Sequence, residues 1–163
     1  MRWWAVLIPA ERYSDERLVG ADSLAVPGLS AAPGDRVALV APVDPPVVFG
    51  LGVVTRDGRV RYTRRLFDEP LPADGLGAGP LPEEAFQALV TKAGSRAPVR
   101  TWLVGVDLPI EADSAAEAVR RYWSYVRDLG PTELPAYVAP LDDELAMQAY
   151  VMGQEAALDP EED

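Results

Sequence analysis

Apolar runs alternate with breaks rich in proline and glycine through the first half of the chain, and this pattern predicts a series of β-strands. The strand-like runs are 3–8, 37–40, 47–55 and 60–66. The runs 3–8 and 37–40 are apolar throughout, which predicts two buried strands. The polar segment 11–18 is compatible with a short helix, and residues 20–34, which have no sustained period, predict an ordered loop.

The segment Arg56-Asp57-Gly58-Arg59 joins the last two of these runs and predicts a hairpin. Asp-Gly between strand-like runs favours a two-residue type I′ turn, because both central residues of that turn need a positive φ. The predicted register pairs residue 55 with 60, 54 with 61 and 53 with 62. One face then carries Leu51, Val53, Val60, Tyr62 and Leu66. The other carries Arg56, Arg59, Arg61, Thr63 and Arg65, with Gly50 and Gly52 beneath them.

The second half of the chain predicts the order β-α-β-β, after a linker at 68–82 and a helix at 83–93 that Gly94 ends. Residues 101–110 predict a strand that is apolar nearly throughout and therefore central in its sheet. Residues 134–140 predict another strand. Residues 145–152 fit a strand or a short helix capped by Asp142, and we favour the strand.

The helix of the second half has the clearest boundaries. Ser114-Ala115-Ala116-Glu117 matches a capping box, in which the serine side chain accepts a hydrogen bond from the third helical N–H. Gly130-Pro131 ends the helix. Glu117 is placed to pair with Arg121 one turn later.

The composition excludes several kinds of chemistry. The 163 residues include no histidine and no cysteine, so disulfides, thiolate or histidine-ligated metal sites, and serine–histidine or cysteine–histidine catalysis are impossible. We therefore predict a binding module with no catalytic residue, no metal and no cofactor. The apolar run at 3–8 is too short for a signal peptide, and no run approaches the roughly 20 residues that span a bilayer. These features predict a cytoplasmic protein without a membrane partner.

The arginines of the hairpin are the most informative candidates for binding. The chain has a net charge of −11 and on average repels polyanions. Arg56, Arg59, Arg61 and Arg65 nevertheless lie on one short hairpin, and arginine binds phosphate bidentately and stacks on bases. The alternative is a solvated face whose charges protect the sheet from edge pairing.

Aromatic and acidic clusters have simpler explanations. Trp3, Trp4, Trp102 and Trp123 fit core packing better than a pocket for a planar ligand. The run Asp142-Asp143-Glu144 fits a turn or a helix cap better than a magnesium or calcium site, since it lacks the spacing of a calcium loop.

The first 66 residues resemble the EVE family within the PUA-like superfamily. The resemblance rests on Trp4, Glu11, Tyr13-Ser14, Gly34-Asp35-Arg36-Val37, Pro45-Pro46 and Phe49-Gly50-Leu51-Gly52-Val53-Val54. It implies a pseudobarrel with flanking helices that binds nucleic acid, with modified bases flipped into an aromatic-lined pocket. The family's Trp-Gly-Val and Arg-Asn-Tyr stretch has no match in residues 20–33, which implies that this pocket is altered or absent.

We therefore predict an α+β protein with a PUA-like pseudobarrel half at 1–97, a β-α-β-β half at 98–153 packed on it, and an acidic disordered tail at 154–163. The leading functional hypothesis is recognition of nucleic acid or a modified nucleotide, with Trp4 or Tyr13 stacking on a base and the hairpin arginines contacting phosphate. A protein-interaction or homodimer module is the second hypothesis. A carboxylate-dependent hydrolase or transferase is the third.

Overall fold

The structure, a computed structural model, describes residues 1–95 and 98–156. The chain divides into two compact units, Met1–Ala97 (unit 1) and Pro98–Asp163 (unit 2). Within the described residues it is an α+β protein with three α-helices, a mixed seven-stranded sheet in unit 1 and a four-stranded antiparallel sheet in unit 2.

Unit 1 is built around its mixed sheet. The strands are β1 (Trp3–Leu7), β2 (Ser23–Ala25), β3 (Arg36–Ala41), β4 (Val47–Val54), β5 (Arg59–Arg65), β6 (Leu71–Pro72) and β7 (Gly79–Leu81), and the helices are α1 (Ala10–Leu18) and α2 (Glu83–Lys92). The strand order is β2-β5-β4-β3-β1-β7, with β6 beside β4, and β1 runs parallel to β3. The sheet does not close into a barrel within the described residues.

Both faces of this sheet are covered by apolar side chains. Tyr13 of α1 packs with Leu39 and Phe49 on one side, which we call the α1 face. Phe86 of α2 packs with Leu51 on the opposite side, which we call the α2 face. Burial on both sides explains why β3 and β4 are continuous apolar runs in the sequence.

The β4–β5 hairpin differs from the predicted one by one residue. Val54 pairs with Val60 and Val53 with Arg61, so the predicted register is wrong. Gly58 has a positive φ of 75°, whereas Asp57 does not have one, and the N–H of Thr55 donates to the carbonyl of Arg59 at 2.8 Å. The loop therefore has three residues and ends in a glycine with left-handed backbone geometry. In a type I′ turn Asp57 would also need a positive φ, and in this loop it does not.

A β-bulge at Thr63 then divides the arginines of β5 between two faces. Tyr62 pairs with Gly52, but Arg64 pairs with the next residue, Leu51, so that Thr63 is the extra residue. Arg64 therefore lies on the α2 face with Arg61, and Arg65 lies on the α1 face. The predicted single face of arginines does not form.

The two glycines of β4 lie beneath apolar side chains instead of arginines. A Cβ on Gly50 would be 2.9 Å from a ring carbon of Tyr62, and a Cβ on Gly52 would be 2.5 Å from a methyl of Val60. Glycine is needed at both positions because side chains of the paired strand β5 occupy the space that a Cβ would take.

Within its described residues, unit 2 contains one α-helix and one small antiparallel sheet, in the chain order β-α-β-β-β. Its elements are β8 (Trp102–Gly105), α3 (Ala115–Leu129), β9 (Ala136–Pro140), β10 (Gln148–Val151) and β11 (Gln154–Ala156), and the strand order is β11-β10-β9-β8. The start of α3 is confirmed, since the side chain of Ser114 accepts from the N–H of Glu117 at 3.2 Å and Glu117 lies 3.3 Å from Arg121.

Two features of unit 2 differ from expectation. The predicted central strand is the short edge strand β8, all of whose residues are exposed; its apolar sequence does not reflect burial on two faces. The segment predicted as a tail begins with β11, and residues 157–163 lie outside the described part of the chain. The choice of a strand within 145–152 is confirmed for Gln148–Val151, which a 3₁₀ turn precedes. None of the described helices is long and apolar enough to cross a membrane.

Candidate functional site

An open groove lies along β5 in unit 1, beyond the point where β2 stops pairing with this strand. Its volume is about 880 Å³, and its walls come from β5, from residues 68–71 and from the C-terminal end of α2. The charged side chains that line it are Arg61, Arg64, Arg65, Lys92, Asp22, Asp68 and Glu69. Cations from β5 and α2 thus face a groove that also has acidic walls.

Arg64 is held in this groove by the end of α2. Its guanidinium donates to the carbonyl of Ala93 and, at 3.5 Å, to the carbonyl of Ser95. The last carbonyls of a helix lack partners within the helix and carry partial negative charge, so a guanidinium stabilises them. The same bonds fix the position of Arg64 between the sheet and α2.

Arg36 extends the row of cations across the α2 face. Arg36 of β3 pairs with Val53, and Val53 pairs with Arg61, so the two arginines lie on one cross-strand row. Two strand spacings separate their Cα atoms by about 10 Å. Arg36 and Arg64 also line a smaller cavity of about 210 Å³ whose other walls are largely apolar.

We call Arg36, Arg61, Arg64 and Lys92 the basic cluster. None of the ion pairs found among residues 1–95 and 98–156 involves any of these four side chains. They lie on a chain whose net charge is −11. The cluster is therefore a local concentration of positive charge that the described carboxylates do not neutralise by direct contact.

Other arginines of the same region have partners. Arg59 donates to the hydroxyl and the carbonyl of Ser23 at 2.8 and 2.9 Å, which ties β5 to β2. Arg65 lies over the ring of Tyr62, 4.9 Å from its centroid, and 3.7 Å from a carboxylate oxygen of Asp22. These interactions stabilise the fold, and they distinguish both arginines from the basic cluster.

Tyr62 belongs to a partly buried polar network on the α1 face. Its hydroxyl donates to the carboxylate of Glu16 at 3.2 Å, and Glu16, which is 5% exposed, also pairs with Arg12 at 2.8 Å. Burial, followed by the negative charge of Glu16, raises the pKa of Tyr62. The phenol therefore stays a neutral hydrogen-bond donor at neutral pH and holds α1 on the sheet.

The two aromatic residues predicted to stack on a base belong to the α1 face. Tyr13 is 7% exposed, and its ring centroid is 4.9 Å from that of Phe49. Trp4 packs against the same apolar layer, and its indole N–H donates to Asp35 at 3.0 Å. Neither residue is among those that line the groove or the smaller cavity.

Asp35 fixes the start of β3 relative to β1. Its carboxylate accepts from the backbone N–H groups of Arg2 and Ala32, at 2.8 and 3.0 Å, as well as from Trp4. The bond from Ala32 contributes most to lowering the pKa of Asp35, and burial opposes this effect. The Gly-Asp-Arg motif thus positions Arg36, the residue that follows.

Of the six residues predicted from the sequence, the structure brings Arg61 and Arg65 together at the groove. Arg56 is exposed in the hairpin loop, and Arg59 bonds to β2. Sequence reasoning missed Arg36, Arg64 and Lys92. Lys92 could have been found, because the acids at the start of its helix and Gly94 beyond its end place it in the last turn.

The residues of the site do not resemble a metal centre. Within the described ranges, no group of three or more acidic side chains is arranged to hold a metal ion. Comparison of the chain with protein-family models, with curated proteins and with solved structures finds no match in any of the three. The groove and its charged side chains are therefore the features from which a function can be inferred.

Proposed function

We propose that unit 1 is a non-enzymatic binding module whose basic cluster takes the phosphate groups of a nucleotide or of a short single-stranded nucleic acid. The observation that carries this proposal is the set of four cations, Arg36, Arg61, Arg64 and Lys92, without ion-pair partners among the described residues of an acidic chain. A polyanion is repelled by the average charge of this protein, so an unneutralised basic cluster favours a specific anionic ligand.

The side chains suit phosphate in two different ways. Guanidinium groups present a planar fork of donors that matches two phosphate oxygens, whereas the ammonium of Lys92 acts as a compact charge. The bonds from Arg64 to the end of α2 use one of its terminal nitrogens, and the remaining donors stay available for a ligand. Because Arg64 is already ordered, less side-chain entropy is lost on binding.

The acids of the groove favour a small ligand over a long duplex. Asp22, Asp68 and Glu69 line the same groove as Arg61, Arg64 and Lys92. They would repel a continuous row of phosphates, but they can accept hydrogen bonds from the amino groups of a base or from sugar hydroxyls. A mononucleotide or a few single-stranded nucleotides fit this division of charge.

A relationship of unit 1 to the PUA-like superfamily is part of the same proposal. It is supported by the order β1, α1, β2, β3, β4 and by the hydrogen bonds of Asp35, which make the Gly-Asp-Arg motif a junction between two strands. Base stacking on Trp4 or Tyr13 stays a prediction, and it would need the stacking ring to leave the apolar layer that it occupies here.

The test is binding of a labelled single-stranded oligonucleotide, of about eight nucleotides, and of unlabelled nucleotides as competitors. We expect binding at low salt that weakens by more than tenfold between about 50 and 200 mM salt. The double variant Arg36→Gln/Arg61→Gln should weaken binding at least tenfold and flatten the salt dependence, because two phosphate contacts are lost.

The matched control is Arg56→Gln, which removes one positive charge from the exposed hairpin loop outside the groove. Two single variants, Arg61→Gln and Arg56→Gln, change the net charge equally. An equal loss of affinity in both would point to nonspecific attraction and contradict the proposed site. Absence of binding by the wild-type chain at low salt would overturn the proposed function.

A further inference from the structure

The smaller cavity lies beside the groove, on the α2 face of unit 1. Its volume is about 210 Å³, and its walls come from β3, β4, β5 and α2. The apolar residues with side chains at its walls are Leu51, Val53, Phe86 and Val90. Thr63 and Arg64 of β5 line this cavity and the groove as well. The two spaces are therefore neighbours that share part of one strand.

The apolar part of the cavity is a region that α2 does not close. Phe86 of α2 is 2% exposed, whereas Val90, one turn later on the same side of the helix, is 37% exposed. On β4, Leu51 is buried, but Val53, two residues later on the same face of the sheet, is half-buried. Apolar side chains of α2 and β4 thus border a space that the protein itself leaves unfilled.

Two guanidinium groups belong to the same cavity. Arg36 and Arg64 come from β3 and β5, the strands on either side of β4. Arg64 is held by the carbonyl of Ala93 at the end of α2. Neither arginine forms one of the ion pairs found among residues 1–95 and 98–156. An apolar space flanked by two such cations matches a ligand that is apolar in one part and anionic in another.

We propose that the smaller cavity is the subsite for the base of the nucleotide, and that it takes a pyrimidine. This inference rests on the proposed function, in which cations of the groove take the phosphate. One sugar joins base and phosphate in a nucleotide, so their subsites must be neighbours, as the shared residues Thr63 and Arg64 make them. With the base in the cavity, the acids of the groove are left to accept from the sugar hydroxyls.

The volume of the cavity favours one ring over two. An apolar protein cavity of about 150 Å³ binds benzene, a ring of six carbons. In proportion to the number of heavy atoms, a pyrimidine base with eight of them needs about 200 Å³, and a purine base with ten or eleven needs about 250 Å³ or more. The observed volume of about 210 Å³ matches the pyrimidine.

The polar groups at the walls suit the faces and the edge of such a ring. A guanidinium stacks on a base with its flat face, while its in-plane N–H groups stay free to donate to phosphate. The hydroxyl of Thr63 donates to the carbonyl of Leu51 at 3.1 Å, so its oxygen is left to act as an acceptor. Uracil and cytosine each carry an N–H donor on the Watson–Crick edge that can bond to this oxygen.

This subsite differs from the aromatic one that the sequence predicts. Trp4 and Tyr13 belong to the α1 face, whereas Leu51 and Phe86 place the cavity on the α2 face. A base in the cavity needs no movement of either predicted ring. A nucleotide can therefore bind unit 1 without disturbing the packed layer around Tyr13.

The test is competition against the labelled oligonucleotide by uridine 5′-monophosphate, adenosine 5′-monophosphate and ribose 5-phosphate, which carry the same phosphate group. We expect uridine monophosphate to bind about tenfold more tightly than ribose 5-phosphate, because the base adds stacking. It should also bind about threefold more tightly than adenosine monophosphate, because a second ring overfills the cavity.

Val90→Phe fills the cavity without a change in charge. It should weaken the binding of uridine monophosphate about tenfold and leave that of ribose 5-phosphate unchanged. Val19→Phe is the matched control: it makes the same substitution at a valine that is 62% exposed and lines neither space. If circular dichroism shows that Val90→Phe does not fold, Thr63→Val takes its place. It keeps the shape of the side chain, removes the acceptor, and should weaken uridine monophosphate alone by about fivefold.

Three results would overturn the base subsite: equal affinities of the wild type for uridine monophosphate and ribose 5-phosphate, tighter binding of adenosine monophosphate, or equal effects of the variant at the cavity and of Val19→Phe. In each of them the oligonucleotide still binds, so the proposed function of the basic cluster stands. An oligonucleotide that does not bind at low salt contradicts the proposed function itself, and the base subsite then fails with it.

Discussion

The two units use apolar residues in opposite ways. In unit 1 the sheet buries side chains on both faces, and Leu39, Phe49, Leu51 and Phe86 are essentially inaccessible to solvent. In unit 2 the largest apolar side chains, Trp102 and Trp123, are exposed. A well-packed sheet can hold charged side chains in fixed positions around a groove. An apolar surface that a unit does not bury adds nothing to the stability of that unit.

This contrast is tested most strongly by truncating one aromatic residue in each unit. Phe49→Ala should lower the free energy of unfolding of unit 1 by about 3–5 kcal/mol, because Phe49 is fully buried and leaves a cavity. Tyr150→Ala, at a half-buried side chain of unit 2, should cost only about 1 kcal/mol at concentrations where the chain is monomeric.

Hydrogen exchange read by mass spectrometry reports each unit separately and checks this prediction. Losses of similar size in the two variants would show that unit 2 has a core comparable to that of unit 1. The contrast would then have to be abandoned.

A smaller difference in stability is expected when one strand glycine in each unit is replaced by alanine. Gly52→Ala should destabilise unit 1 by about 1–3 kcal/mol, because its Cβ would lie 2.5 Å from Val60 and 2.8 Å from the carbonyl oxygen of Arg61. Gly105→Ala in β8 meets nothing within 4 Å and should be neutral or slightly stabilising. Urea unfolding of the two variants measures both values, and a neutral Gly52→Ala would mean that β4 and β5 can separate without cost.

The smallest expected effect concerns acid. Hydrogen bonds, first of all from the N–H of Ala32, lower the pKa of Asp35 in the folded chain below the ordinary value of 3.8. The stabilisation that Asp35 provides is therefore complete above that value and is lost as the pH falls from there through the lowered pKa.

The variant Asp35→Asn lacks this titration. Melting temperatures measured across acidic pH should fall more steeply for the wild type than for the variant, and hydrogen exchange should show the loss beginning in unit 1. Parallel curves would show that Asp35 does not stabilise the junction of β1 and β3 through its charge.

Local sequence patterns predicted most elements of the fold. The capping box at Ser114, the stop at Gly94 and the apolar runs of β3 and β4 each reflect an interaction within a few residues or burial on two faces. The register of the hairpin was not predictable in the same way, since Asp57-Gly58 fits two loops that differ by one residue. The edge position of β8 was not predicted, because an apolar sequence does not distinguish a central strand from an exposed edge strand.

The site was less predictable than the fold. Counting alternate residues placed Arg61 and Arg65 on one face, which is correct only for a strand without a bulge. Arg36 and Lys92 reach the same region through β3 and α2, from positions distant in the sequence. Such convergence follows from tertiary packing, and no local pattern encodes it.

The bulge at Thr63 has a consequence for how this hairpin can change during evolution. It absorbs one residue between Tyr62 and Arg64, so a deletion of Thr63 would leave Arg64 opposite Leu51 and Arg65 opposite Gly50. The hairpin can therefore vary in length at this point while its charges keep their faces. An alignment of related sequences should accordingly place its gap at Thr63, because a gap placed one column later would align the arginine that corresponds to Arg64 with Thr63.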